Sequence, residues 1–91
     1  MATYINPYGL ELDVFPEDGC KFTLEELQKL VNGYVERIAM PDGSAMYVNE
    51  DGKLKDLPYN IKATTILKMC GLIPYDYIVG DVVILSNEEE D

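Results

Sequence analysis

The chain has 91 residues, of which 17 are acidic and seven basic, so its formal net charge at pH 7 is −10, and it contains no histidine. A negative field of this size repels nucleic acids and anionic lipid surfaces, so we expect no direct binding of nucleic acid and no membrane partner. No apolar stretch is long enough to cross a bilayer, and no basic segment followed by an apolar one marks a secretory leader, which predicts a soluble cytoplasmic protein.

The length predicts a single domain over residues 1–85, followed by an acidic tail over residues 86–91 that we expect to lie in solvent. An apolar content of 47% is that of a folded chain. A domain of this size has a small core, so self-association would add to its stability. Cys20 and Cys70 have no C-x-x-C spacing and are interpreted as free thiols in a reducing compartment.

The first predicted elements are two short strands joined by a turn. Residues 2–5 can form a strand, and Asn6 to Gly9 has the proline and glycine of a tight turn. From Leu10 to Val14 apolar residues alternate with acidic ones, which is the period of a half-buried strand. The two segments therefore predict a β-hairpin.

A helix follows, and its boundaries are marked in the sequence. Thr23 can cap its first turn, and Glu26 completes a capping box that satisfies two backbone donors. Phe22 and Leu27 have the spacing of a hydrophobic staple. Gly33 is expected to end the helix in the left-handed conformation.

Two further strands are predicted over residues 34–40 and 44–49, joined by a turn at residues 41–43. A second turn follows, in which Asn49 can bond to its own backbone and Gly52 can adopt a positive φ.

In the connector after this turn, Leu54 and Leu57 are expected to point inward. Asn60 is a good N-cap for a second helix, which Gly71 ends before a loop at residues 73–76.

Residues 77–85 are nearly all apolar and predict a central strand covered on both faces, with a bulge at Gly80 and Asp81. The fold class is therefore α+β: a small, mostly antiparallel sheet in the order β-β-α-β-β-α-β, with two helices packed on it.

Enzyme chemistry is poorly supported by the sequence, and no cofactor is expected. There is no histidine to act as a base near neutral pH, and neither cysteine has a recognisable base partner. Phosphate-binding glycine motifs are absent. The turn at residues 49–52 lacks the ligand spacing of a calcium loop, so no metal site is predicted either.

Four sequence words carry a resemblance to a known family: TLEELQKLVNGYVE at 23–36, VNEDGKL at 48–54, LPYN at 57–60 and IVGD at 78–81. Over about residues 3–85 the chain resembles a family of small acidic domains of unknown function found in phages, prophages and conjugative elements of Firmicutes. The resemblance implies an intracellular protein of a mobile element, at work in a host bacterial cell. It implies neither a reaction nor a set of catalytic residues.

One stretch concentrates the features of a ligand site. Four of the seven basic residues lie between positions 53 and 68, a helix N-terminus that could hold an anion begins there, and tyrosines could stack on a base. A purely structural interpretation, with the asparagines shaping a turn and a cap, stays open. The candidate ligand-binding residues are Tyr47, Asn49, Lys53, Lys55, Tyr59, Asn60 and Lys62.

The first functional hypothesis is a non-enzymatic counter-defence protein that sequesters a phosphorylated, nucleotide-derived immune signal of the host. Such a protein could act as a homo-oligomer. The alternative is an acidic inhibitor that mimics nucleic acid and occupies the basic site of a host restriction or CRISPR effector. Its phosphate-like array would be Glu11, Asp13, Glu17, Asp18, Glu25 and Glu26. A third hypothesis is an interaction domain without a ligand.

Overall fold

The fold is built around one antiparallel sheet of five strands. The computed structural model describes residues 2–73 and 76–90. The order across the sheet is β2-β1-β5-β4-β3. The predicted α+β class and the order of elements along the chain are confirmed. The strands are β1 (Ala2–Ile5), β2 (Glu11–Val14), β3 (Val35–Ala39), β4 (Ala45–Asn49) and β5 (Val82–Leu85).

The two helices, α1 (Leu24–Val31) and α2 (Ile61–Met69), cover opposite faces of this sheet. Successive side chains of a strand point to opposite faces, and β5 shows where each goes. Val83 packs in one apolar cluster with Leu27 of α1. Val82 packs in a second cluster with Leu67 of α2. The prediction of a central strand covered on both faces is therefore confirmed.

The last strand is shorter than predicted. It begins at Val82 instead of Tyr77, because Gly80 has a φ of 76° and interrupts the extended backbone. Before this break, Val79 makes only an isolated bridge to Tyr59. The part of the predicted loop at residues 74–75 lies outside the described residues.

The start of α1 is as predicted, whereas its end is not. Thr23 Oγ1 accepts from the Glu26 N–H at 3.2 Å, and Glu26 Oε1 accepts from the Thr23 N–H at 2.8 Å. The left-handed residue that ends the helix is Asn32, with φ 62°, so the prediction for Gly33 was wrong. A Cβ at Gly33 would lie 2.7 Å from Asn49 Nδ2, so this glycine serves close packing.

A second correction concerns the connector between β4 and α2. Gly52 does not have a positive φ, and the left-handed residue of this segment is Asp56, with φ 56°. A Cβ at Gly52 would lie 2.8 Å from Val79 Cγ2, so packing again explains the glycine. Leu57 contacts the backbone at Gly80, as an inward residue should, but Leu54 is 88% exposed, contrary to prediction.

Glu89 and Glu90, two of the acidic residues after β5, lie against the domain, where solvent was expected. Residues Asn87–Glu89 form one short 3₁₀ turn, and the carbonyl of Glu89 accepts from the Phe22 N–H at 2.9 Å. The Glu90 carboxylate accepts two hydrogen bonds from Arg37, at 2.6 and 3.0 Å, and a third from the Tyr47 hydroxyl at 2.6 Å. This fork-shaped pairing fixes the segment across β3 and β4.

Loss of the Glu90 carboxylate should lower thermal stability in a pH-dependent way. Arg37 holds the pKa of Glu90 below its ordinary value of 4.5. A carboxyl with a lowered folded pKa contributes its stability above the unfolded pKa and loses it as the pH falls through the folded pKa. We therefore expect Glu90→Gln to have a lower unfolding temperature than the wild type at pH 7, with the difference shrinking as the pH falls below 4.5.

Differential scanning fluorimetry across this pH range checks the expectation. Glu88→Gln, which alters an exposed neighbour, is the matched control and should follow the wild type throughout. A constant difference at all pH values would show that the Glu90 contacts are not electrostatic in origin.

Candidate functional site

Two of the predicted ligand-binding residues are buried parts of the fold. Asn60 is fully buried: its Oδ1 accepts from the Ala63 N–H at 3.0 Å, which confirms it as the N-cap of α2. Its Nδ2 donates to the carbonyls of Ile5 and Gly80 at 3.2 and 2.8 Å. Asn49 donates to the carbonyl of Val31 at 3.0 Å, at the end of α1.

Three of the other candidates lie apart from one another. Tyr47 lies on the α1 face of the sheet, where its burial and the hydrogen bond that its hydroxyl donates to Glu90 raise the pKa of Tyr47. Lys62 forms an ion pair with Glu11 of the edge strand β2. Lys55 lies against Gly33 after α1, with its Nζ 3.1 Å from the position of a Cβ there.

The structure does bring Lys53 and Tyr59 together, through a residue that sequence analysis missed. The Lys53 ammonium lies 4.4 Å from the centre of the Tyr77 ring, and the Tyr59 and Tyr77 ring centres are 5.6 Å apart. Lys53 also forms an ion pair with Asp76, which lowers the pKa of that carboxyl. The binding role of all seven candidates stays a prediction.

This group borders a cleft of about 270 Å³, here called the β3 cleft. It lies between β3, the turn after β4 and the segment before β5, on the sheet face that α2 covers. Its apolar floor carries three carboxylates and one lysine, so its charge is negative. The lining residues are Glu36, Ile38, Val48, Asn49, Glu50, Lys53, Leu54, Ile73, Asp76, Tyr77, Ile78 and Val79.

A second concave surface, the acidic groove, has a volume of about 520 Å³ and lies between β2 and α1. Four of the six acidic residues that sequence analysis assigned to a phosphate-like array line it. Glu11 is paired with Lys62 instead, and Asp18 accepts from the backbone of its own turn. The lining residues are Asp13, Val14, Phe15, Glu17, Phe22, Thr23, Glu25, Glu26, Lys29 and Leu30.

Backbone donors hold the carboxylate of Glu26 ionised within the acidic groove. It accepts from the N–H groups of Thr23 and Glu17, both at 2.8 Å, and these bonds lower its pKa. Phe15 is 68% exposed at the edge of the groove, and Phe22 is buried in its floor. Sequence analysis identified the acidic residues but overlooked Phe15. Its position could have indicated it, because Phe15 is an aromatic residue directly after the predicted strand that ends at Val14.

Among residues 2–73 and 76–90, no group of three or more Cys, Asp or Glu side chains could hold a metal ion. Within the same residues, no helix is long and apolar enough to span a bilayer.

The geometry defines a small α+β domain with one helix on each face of a five-stranded sheet and a concave surface on each side. The chain belongs to the family described as Domain of unknown function (DUF3846), whose model matches residues 6–91. No curated protein and no solved structure matches it.

If the role of Asn60 is to hold the fold together, its substitution should lower the stability of the protein. If its role were to bind a ligand, the substitution would weaken binding instead. Asn60→Asp keeps the oxygen that caps α2 but places a second oxygen against the carbonyls of Ile5 and Gly80. We expect a loss of about 2–4 kcal/mol in the free energy of unfolding, because two buried carbonyls lose a donor and face an added oxygen.

Urea denaturation measures this loss, and Asn87→Asp, an exposed asparagine, is the control. Equal stability of the Asn60→Asp variant and the wild type would mean that the amide is not a structural link.

Proposed function

We propose that this protein is a non-enzymatic counter-defence factor of a phage or other mobile element, which binds a basic surface of a host defence protein through the acidic groove. The observation that supports this proposal is that three acidic residues, Glu17, Glu25 and Glu26, line one groove beside α1. Proteins that bind nucleic acid carry clustered Lys and Arg side chains, and an array of carboxylates is complementary to them.

The charge balance favours such a partner over a small anion. Lys29 is the single cation among the ten residues that line the groove. The net charge of −10 adds a long-range field that attracts a basic protein and speeds its encounter.

Phe15 gives the same surface an apolar anchor. A ring that is 68% exposed beside a polar groove can insert between the long side chains of a basic partner. Aromatic side chains supply much of the energy at the centre of protein interfaces. A charged rim beside one aromatic anchor is therefore a reasonable interface for recognition of a protein.

The chemistry of the groove supports binding instead of catalysis. A general base works best with a pKa near the operating pH, whereas hydrogen bonds lower the pKa of Glu26. The chain also has no histidine to take that role.

Charge reversal in the groove tests the proposal. We expect Glu17→Lys combined with Glu25→Lys to weaken binding to the target by about tenfold or more, because each lysine repels the basic partner. The measurement is biolayer interferometry against a panel of purified restriction and CRISPR effector proteins. Binding of the wild type should also weaken with added salt.

Glu50→Lys combined with Glu36→Lys is the matched control, since it changes the net charge equally at the β3 cleft on the other face. Equal loss in both double variants would show that only net charge matters. A wild type that binds no effector on the panel would remove the support for a protein target of this class.

A second candidate function is the sequestration of a nucleotide-derived immune signal at the β3 cleft. The observation that favours it is the line of Tyr59, Tyr77 and Lys53, in which a base could stack on a ring while the ammonium contacts a phosphate. The ion pair with Asp76 argues against it, because a phosphate would have to displace that carboxylate.

Native mass spectrometry with a panel of cyclic and ADP-ribose-derived nucleotides tests this candidate. If it is correct, the wild type gains one discrete ligand mass and Lys53→Ala loses it, because the phosphate contact is removed. Lys29→Ala, on the opposite face, should retain the ligand. An unchanged mass with every nucleotide contradicts the candidate.

A further inference from the structure

The strand β3 forms one edge of the sheet, and within residues 2–73 and 76–90 no strand pairs with its outer side. On its other side, Met40 N–H donates to the Ser44 carbonyl at 2.9 Å, and the Tyr34 carbonyl accepts from Glu50 N–H at 2.8 Å. Bonding alternates along an antiparallel pair, so even-numbered residues of β3 bond to β4. The N–H and C=O groups of Val35, Arg37 and Ala39 therefore point outward.

The opposite edge, β2, is protected against pairing with a second copy of itself. When two copies of one strand pair antiparallel about a two-fold axis, the numbers of any two opposite residues add up to the same even number. Centred on Leu12, the pair places Glu11 opposite Asp13, and centred on either acidic residue it places that carboxylate opposite its own copy. Like charges directly opposite one another are destabilising, so the registers of β2 centred on residues 11, 12 or 13 all carry this penalty.

The edge of β3 has a register without that penalty. If the two-fold axis passes through Ile38, then Arg37 lies opposite Ala39 of the second copy, and Glu36 lies opposite Met40. No like charges are opposed, and the small side chain of Ala39 leaves room for the guanidinium that Glu90 already neutralises. Ile38, only partly buried in one copy, is then covered by its symmetry mate.

We propose that two copies of this chain associate through β3, with Ile38 opposite Ile38, to form one continuous ten-stranded sheet. Arg37 and Ala39 of opposite copies then exchange both of their backbone hydrogen bonds. This inference is independent of the proposed partner of the acidic groove, which lies on the other face and at the other end of the sheet.

The association would also complete the β3 cleft. The two-fold axis is perpendicular to the sheet, so both clefts lie on the same face and meet at the shared edge. Glu36 and Ile38 line the cleft within one copy. In the dimer, Ile38 and Met40 of the second copy extend its apolar floor, so that the site spans both chains.

Disulfide trapping tests the register directly. In a Cys20→Ser, Cys70→Ser background, Ile38→Cys should form a covalent dimer on mild oxidation. Opposite residues of a non-hydrogen-bonded pair have Cα atoms about 4.5 Å apart, within the range of a disulfide. Glu36→Cys is the control. In the proposed register the two copies of residue 36 are four positions apart along the strands, at about 3.4 Å per position, so their Cα atoms are about 14 Å apart.

We expect the Ile38→Cys variant to cross-link at least about tenfold faster than the Glu36→Cys variant, as judged on non-reducing gels. Equal rates, or no cross-link in the Ile38→Cys variant, would overturn the proposed register. Light scattering after size exclusion should find a dimer for the wild type and for the groove variant Glu25→Lys, and a monomeric wild type would overturn the interface itself.

Ala39→Pro provides a second test in the native background. Proline removes an N–H that points outward, so it costs no bond to β4, and proline is tolerated at such edge positions. The variant should be folded by circular dichroism and monomeric by light scattering. A folded Ala39→Pro variant that stays dimeric contradicts the proposal. If this variant does not fold, the cross-linking of the Ile38→Cys variant decides the test.

Discussion

The buried amide of Asn60 is the contact on which most of this fold depends. It joins the start of α2, the end of β1 and the carbonyl of Gly80, so three segments far apart in sequence meet at one side chain. The backbone adds to this link, because the Asn60 N–H donates to the Ile78 carbonyl at 2.8 Å. Each of these bonds pairs polar groups in the interior, where an unpaired group would be costly.

This link explains how α2, a helix that its own sequence specifies only weakly, is held in place. Thr64, one turn into α2, accepts from the Ile78 N–H at 2.8 Å. The polar side of α2 is thus fixed to the segment before β5, while Ala63 and Leu67 pack into the apolar cluster beneath. Because Gly80 leads into β5, the same contacts set where the central strand begins.

Local signals in the sequence were sufficient for the first four strands, the two hairpin turns and the start of α1. Capping residues and alternating polarity act within a few positions, and the structure bears out what they predicted at Thr23 and Asn60. The failures at Gly33 and Gly52 have one cause. Both glycines were interpreted as turn residues, but each makes room for a distant side chain, of Asn49 and Val79 respectively. Such an approach cannot be seen before the fold is known.

The candidate site could be predicted only in part, for a related reason. Tyr47 and Lys62 are near one another in the sequence, but strand alternation and the helix crossing place them on opposite faces of the sheet. The acidic residues that line the acidic groove, by contrast, lie close together in the sequence, within residues 13–26, and remain near one another in the fold. The partner of Lys53 at Asp76 could not be identified, because the two residues meet only through tertiary packing.

The position of β5 has a consequence for the order in which the protein can fold in the cell. Among the strands that the structure describes, the β1–β2 hairpin and the β3–β4 hairpin do not pair with each other, and β5 lies between them. Residues 82–85 are translated after every other strand, so on the ribosome the two hairpins must remain separate until that segment emerges. The apolar faces of both hairpins are exposed during this interval, and such unpaired edges are prone to aggregation. An early stop or a stalled ribosome would therefore release a chain that contains four of its five strands but cannot assemble the sheet.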